Sequence, residues 1–236
     1  MQKLLSLMRA ACEKYDMLQD GDVVAVGVSG GKDSLVLLAA MNELRRFYPA
    51  SFTIKAITLD MRFNNMDTDY SEISGLCEGL GIEYIIKRTS LAEVIFNLRK
   101  EKNPCSLCAK MRRGILHDTA IENGCNKIAL GHHLDDAAET FLMNLFRCGT
   151  IGSFRPVTYL SRKDIYLIRP MIFAKETMIS SLAEREALPI VKSSCPQDGV
   201  SERQSTKELI FQLEKQYPAL REKIIGALQR KGIDNW

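Results

Sequence analysis

The stretch Val23-Val24-Ala25-Val26-Gly27-Val28-Ser29-Gly30-Gly31-Lys32-Asp33-Ser34 decides how the whole chain is read. Its first half is an apolar run without alternation, the pattern of a strand buried on both faces of a parallel sheet. Its second half places glycines, serines and a lysine where that strand turns into the next element. Glycine lets a backbone turn tightly and approach a ligand with no Cβ in the way. Successive N–H groups in such a turn, with a helix N-terminus behind them, form an anion-binding nest. Ser29 and Ser34 add hydroxyl donors and Lys32 a point charge, so Ser29–Ser34 reads as a phosphate cradle. The plainer alternative is a Gly-rich turn with a Ser/Asp N-cap. The loop is not a Walker A sequence: Asp33 stands where that pattern has Ser or Thr, and Val26 where it has Gly. A carboxylate beside phosphates is repulsive unless a divalent cation lies between them. Asp33 therefore points to Mg²⁺ bound with the phosphates.

Outward from this turn, strand and helix patterns alternate. Lys3–Leu18 has apolar residues at helical spacing, and a helix is expected from Asp33 to about Phe47. Phe52–Leu59, Glu83–Lys87 and Lys127–Leu130 read as strands, and Tyr70–Leu80, Leu91–Lys100, Ala109–Asn123 and Asp135–Arg147 as helices. Beyond Gly149 a loop or short hairpin leads to a last strand at Ile165–Ile168, a helix at Lys175–Glu186 and a polar helical tail, Ser201–Leu228. Alternation at this spacing means βαβ units: an α/β fold with a doubly wound, mainly parallel sheet. The expected organisation is an N-terminal helix (1–20), a nucleotide-binding α/β domain (21–190), and a loop with a helical tail (191–236).

The composition is that of an ordinary globular chain. Of 236 residues, 46% are hydrophobic and 26% charged, which excludes disorder, collagen and coiled coil for the whole chain. No apolar run is long enough to span a membrane, and Met1–Ala11 is too short and polar for a signal peptide. A cytoplasmic location is expected. The formal charge of +3 is unremarkable, but its distribution is not. From Arg99 to Arg113, the residues Arg99, Lys100, Lys102, Lys110, Arg112 and Arg113 face Glu101 alone, so this stretch carries +5 and the rest of the chain −2. A basic patch of this kind suits a polyanionic substrate.

That patch surrounds Pro104-Cys105-Ser106-Leu107-Cys108. The chain has 7 cysteines, an odd count that does not suit a disulfide framework in a reducing compartment. Only Cys105 and Cys108 are close-spaced, so they point to metal or redox chemistry, while the others are by default small buried hydrophobes. A metal site needs at least one further ligand. Cys195, in the turn-like Lys192-Ser193-Ser194-Cys195-Pro196, is the best candidate, because Cys12, Cys77 and Cys148 fall inside helical patterns and Cys125 follows a loop glycine. Three cysteines leave an open position on a zinc ion or on one iron of a cluster. A third motif, Gly131-His132-His133-Leu134-Asp135-Asp136-x-x-Glu139-Thr140, lies where a strand ends and a helix begins, at the sheet edge where open α/β folds bind ligands. Its acids fit either a metal site or a capping-box-like helix start favoured by the dipole, and its histidines are by default structural.

Ser29–Ser34 after a first strand resembles the signature of the PP-loop ATP pyrophosphatases, which adenylate a substrate oxygen and release pyrophosphate. The Gly131–Thr140 string resembles the second signature of the tRNA-modifying branch. Together with Cys105-x-x-Cys108 and Arg112-Arg113-Gly114, the chain resembles the tRNA 2-thiocytidine synthetases from about Val23 to Gln204, including Ile168-Arg169-Pro170-Met171. It departs from them in having Lys192, where many members carry a cysteine three residues before the last ligand.

The resemblance implies an adenine nucleotide alpha-hydrolase-like fold and an ATP-dependent sulfurtransferase acting on cytidine at tRNA position 32. ATP would lie on Ser29, Gly30, Gly31, Lys32, Asp33 and Ser34, with Asp60 and Gly131 near it, and Mg²⁺ at Asp33 and Asp135. A 4Fe-4S cluster on Cys105, Cys108 and Cys195 is implied, with zinc as the alternative. Asp33, Arg112 and Asp135 are the expected catalytic residues. Arg112 would steady charge beside the cluster, or join Lys110 and Arg113 on RNA phosphates. Expected partners are tRNA and a sulfur-donor protein such as a cysteine desulfurase, with a homodimer left open. The rival readings are a PP-loop ligase or thiolase with another target nucleotide, and a non-catalytic ATP-binding module with a cluster or zinc.

Overall fold

The computed structural model describes residues 1–99, 104–192, 194–196 and 202–236. Lys100, Lys102 and Ser201, at the ends of expected helices or in the basic stretch, lie outside the described residues, as does Ser193 beside the candidate ligand Cys195. The helices are α1 (Gln2–Lys14), α2 (Lys32–Leu44), α3 (Ser71–Gly79), α4 (Pro104–Glu122), α5 (Leu134–Met143), α6 (Glu176–Arg185), α7 (Glu202–Glu214) and α8 (Leu220–Lys231). The strands are β1 (Asp22–Gly27), β2 (Phe52–Asp60), β3 (Glu83–Arg88), β4 (Lys127–Ala129), β5 (Val157–Leu160) and β6 (Ile165–Ile168).

Among the described residues the strands form one six-stranded sheet in the order β3-β2-β1-β4-β6-β5. Every pairing is parallel except β5 with β6, a hairpin that closes one edge. The run that opens the sequence behaves as its composition requires. Val24 and Val26 enter the larger core with α1, α2 and α6, while Ala25 enters a second core on the other face with Ile57, Ile128 and Ala120 of α4. The chain leaves β1 towards β2 on one side and returns through β4 on the other. The crevice at the carboxyl ends of β1 and β4 is therefore the switch point where such sheets bind ligands. Ser29–Ser34 and Gly131–His133 both lie there.

Three expectations change. The cysteine pair is not a linker between helices: α4 begins at Pro104, which puts Cys105 and Cys108 in its opening turns. Proline is tolerated at a helix start because its missing N–H would have no helical partner there. The expected helices at Leu91–Lys100 and Asp135–Arg147 include wider π-type turns at Glu93–Leu98 and Asn144–Cys148. The tail is two helices, broken where Ala219 takes a left-handed φ of 60° after Pro218. These helices belong to the body of the protein. Ile225 and Leu228 of α8 are in the main core, and Ile210 of α7 packs with Ala138 and Leu142 of α5.

Candidate functional site at the sheet edge

Ser29–Ser34 forms a tightly bonded turn. The Ser29 N–H donates to Ser34 Oγ (3.1 Å), the Gly31 N–H to Ser29 Oγ (3.3 Å), and the Ser34 hydroxyl to the Gly31 carbonyl (2.9 Å). Gly30 has φ +87°, a left-handed value that L side chains rarely adopt. A Cβ on Gly131 would stand 3.1–3.2 Å from backbone atoms of Asp33 and Ser34, so glycine there lets the β4 turn close on the start of α2. Lys32 is held by Asp33 (2.8 Å) and Glu176 (3.1 Å). Burial pulls its ammonium down, but those carboxylates outweigh it and leave its pKa above the ordinary lysine value.

On α5, His133 is the N-cap. Its Nδ1 accepts the Asp136 N–H (3.4 Å), and its own N–H donates to the Asp136 carboxylate (3.0 Å). The capping box is thus His133 with Asp136. His133 lies between acids, 3.9 Å from Asp33 and 3.6 Å from Asp135. Burial lowers its pKa, but Asp135, Asp136 and Asp33 together carry it above the usual value. His132 packs half-buried against the Phe154 ring (4.9 Å), and desolvation, with Arg169 and Arg203 nearby, drives its pKa to about 3. It is a neutral packing residue. Arg169 of the Ile168–Met171 string lies over the same ring (4.9 Å) and donates to the Arg155 carbonyl (2.6 Å).

The tail supplies partners that no local motif announced. Asp135 accepts the Glu176 N–H (2.7 Å) at the start of α6, and Arg221 of α8 pairs with its other oxygen (3.0 Å). Arg203 of α7 pairs with Asp136 (3.3 Å), and Lys207 with Glu176 (2.6 Å). Burial would raise the Asp135 carboxyl, but His133, the Glu176 N–H and Arg221 hold it below the ordinary range. Buried Glu139, beside Asp136, is pushed up to about 7. Among the described residues no group of three His, Cys, Asp or Glu side chains is gathered to hold a metal ion. The expected sharing of Mg²⁺ by Asp33 and Asp135 meets a physical obstacle, because both Asp135 oxygens already face donors. Asp60 is similar. Its carboxylate accepts the N–H groups of Arg62 and Thr68 (both 3.0 Å) and the Thr68 hydroxyl (3.1 Å), so it ties down the segment after β2.

The phosphate loop meets two of the three candidate ligands, Cys108 and Cys195, in one cavity that Cys105 does not line. Ser29, Tyr70, Cys108, Arg112, Lys192 and Cys195 all line it. The segment carrying Cys195 lies against the loop: the Val191 N–H donates to the Gly30 carbonyl (3.0 Å), and a Cβ on Gly30 would stand 3.1 Å from Val191 Cβ. Cys105 is exposed and Cys108 and Cys195 half-buried, whereas Cys12, Cys77 and Cys125 are buried. Burial raises the Cys108 thiol above the ordinary range. Arg112 opposes that shift, and Cys195 and Cys105 are near enough to reinforce it. The donor set suits a group bound by thiolates. Three thiolates can hold either a zinc ion or an iron–sulfur cluster, each with one position left open. Arg112 turns to this cavity, while Lys110 and Arg113 are exposed on α4.

The family model described as the PP-loop domain matches residues 3–213. A tRNA-cytidine(32) 2-sulfurtransferase of Syntrophotalea carbinolica is 38% identical over 96% of this chain and 88% of its own. One from Geobacter sulfurreducens is 34% identical over 96% and 89%. Among solved structures, the U34-tRNA thiolase NcsA of Methanococcus maripaludis with its [4Fe-4S] cluster superposes with a TM-score of 0.77 at 29% identity, covering 95% of this chain and 77% of its own.

Proposed function

Because the chain belongs to the PP-loop domain family, we propose that it is an ATP-dependent tRNA sulfurtransferase that replaces the 2-oxo group of cytidine 32 with sulfur. The observation that carries this reading is the cavity in which Ser29 of the phosphate loop, the thiols of Cys108 and Cys195, and Arg112 share one wall. Adenylation occurs on the 2-oxo oxygen and sulfur insertion at the carbon that bears it, so both kinds of group have to reach one base.

In this reading the N–H groups of the Ser29–Ser34 turn and the start of α2 hold the ATP phosphates. Lys32, kept charged between Asp33 and Glu176, transfers its contact to those phosphates, and Asp33 then faces a phosphate-bound Mg²⁺. The base oxygen attacks the α-phosphorus and pyrophosphate leaves, so the oxygen becomes part of a good leaving group, AMP. Here the protein contributes positioning and charge neutralisation. Asp135, taken up by Glu176 and Arg221, fixes α6 and α8 around the crevice. A 4Fe-4S cluster held by Cys105, Cys108 and Cys195 would supply an iron with an open position for sulfur, a role that zinc could fill only in part. Arg112 neutralises charge beside Cys108, and exposed Lys110 and Arg113 meet RNA phosphates. A cysteine desulfurase is the matching source of sulfur, and the cytoplasm the matching compartment.

The test compares modified nucleosides of total tRNA from cells with and without the gene. Loss of 2-thiocytidine alone is expected. An unchanged thionucleoside profile would overturn the assignment.

A further inference from the structure

A second cavity, of about 220 Å³, adjoins the one that holds Cys108 and Cys195; Phe63 and Ser194 line both. Nothing in the reaction described above uses its walls. They include Phe63 and Phe96, whose ring centroids are 6.0 Å apart at 49°, together with Asn64, Asn97 and Glu93. Asn64 stands at φ +56°, in the left-handed region that a non-glycine residue occupies only under constraint and that asparagine tolerates best.

We infer that this cavity is the target-base pocket and takes a cytosine ring extruded from its RNA stack; the inference rests on the thiolase reading. The volume falls below the roughly 300–1,000 Å³ of pockets for drug-sized ligands, so it admits a single flat ring better than a whole nucleotide. Enzymes acting on a base remove it from its stack, cradle it between aromatic or apolar side chains and read its Watson–Crick edge. Phe63 and Phe96, packed against each other, supply one aromatic wall, and Asn64 and Asn97 the adaptable amides. Glu93 supplies the discrimination. A carboxylate accepts from the 4-amino group of cytosine, whereas uracil offers an acceptor oxygen at that position and is repelled. A ring whose amino group meets Glu93 has its 2-oxo edge free for the adjoining cavity, where Cys108, Arg112 and Ser29 lie.

The test uses the full chain and a tRNA stem-loop carrying 5-iodocytidine at the target position. After irradiation, the crosslinked peptide should contain Phe63–Asn65 or Glu93–Asn97, and crosslinks confined to other segments would overturn the pocket. With tRNAs bearing cytidine or uridine at the target position, Glu93→Gln should reduce the preference for cytidine by about 5- to 150-fold, the equivalent of a 1–3 kcal/mol base contact. An unchanged preference would overturn the role of Glu93. A crosslink in the pocket without thiolation of any tRNA by the wild-type protein would defeat the functional reading and leave the pocket standing. Thiolation with crosslinks elsewhere would do the reverse.

Discussion

Alanine at Gly30 and at Gly31 should separate folding from phosphate binding, although the two glycines are neighbours. Gly30 has φ +87°, and a left-handed backbone costs an L residue roughly 1–2 kcal/mol. The new Cβ would stand 3.1 Å from Val191 Cβ, closer than ordinary contact, in the segment whose N–H donates to the Gly30 carbonyl. Weakening that hydrogen bond adds about 1 kcal/mol. Gly30→Ala should therefore lose about 2–3 kcal/mol, a fall in the urea midpoint of about 1 M for a slope near the upper end of the usual range. It should also loosen the segment bearing Cys195. Gly31 differs. Its φ of −79° and ψ of 160° suit alanine, and its Cβ would lie 3.5 Å from Ser29 Oγ, an ordinary contact. Gly31→Ala should keep its stability within about 0.5 kcal/mol. The same Cβ would hold a phosphate away from the nest, and losing one charge-assisted hydrogen bond of about 1.5–3 kcal/mol means about 10- to 150-fold weaker ATP binding. Urea unfolding and calorimetric ATP titration measure both effects. A Gly30→Ala as stable as the wild type would exclude backbone strain at Gly30, and a Gly31→Ala that binds ATP like the wild type would exclude phosphate contact at Gly31.

The other predictions concern the acids, the tail and the thiols. Glu139 is raised to about 7 by burial, so the native state binds a proton that the unfolded state has released above pH 4.5. Stability should fall as pH rises from about 4.5 to 7, by up to about 3 kcal/mol. Glu139→Gln should flatten that slope in urea unfolding at pH 5 and pH 7.5; an undiminished slope would assign it to another group. Removing Arg221 leaves buried Asp135 with one partner fewer, so Arg221→Ala should destabilise by about 3 kcal/mol and lower ATP affinity through α6, measured by thermal melting and titration. A melting temperature equal to the wild type would show the pair to be dispensable. Cys195→Ser should keep its fold and ATP binding but lose thiolation and iron retention. Normal iron content in that variant would exclude Cys195 as a ligand.

The strands and the phosphate loop were legible because their signals are local: an uninterrupted apolar run, then glycines at a helix start. The cysteine pair was legible as chemistry but misplaced in structure, since the sequence pattern at Leu107 and Met111 did not reveal that the helix begins at Pro104. Asp60 and Asp135 show a deeper limit. An acid at the end of a strand or the start of a helix looks available to a ligand. Its actual partners here are Thr68 in a loop, and Glu176 and Arg221 from segments 41 and 86 residues further along the chain. The cations of α7 and α8 were invisible for the same reason. Their spacing is that of a solvated helix face, and only the packing of Ile210 and Ile225 turns them to the acids. The Phe63–Phe96 cavity depends on left-handed Asn64 and a π-type turn, neither of which leaves a sequence period.

In the proposed function, one cavity both adenylates a tRNA cytidine and delivers sulfur to it. The most direct measurement uses anaerobically purified protein with its cluster, sulfide, Mg²⁺-ATP and unmodified tRNA, and quantifies 2-thiocytidine, AMP and pyrophosphate together. Iron–sulfur absorbance and equal amounts of AMP, pyrophosphate and 2-thiocytidine are expected, with none of these products when tRNA is omitted. ATP cleavage without sulfur in the tRNA, or full activity from a colourless zinc-containing protein, would contradict the proposed function.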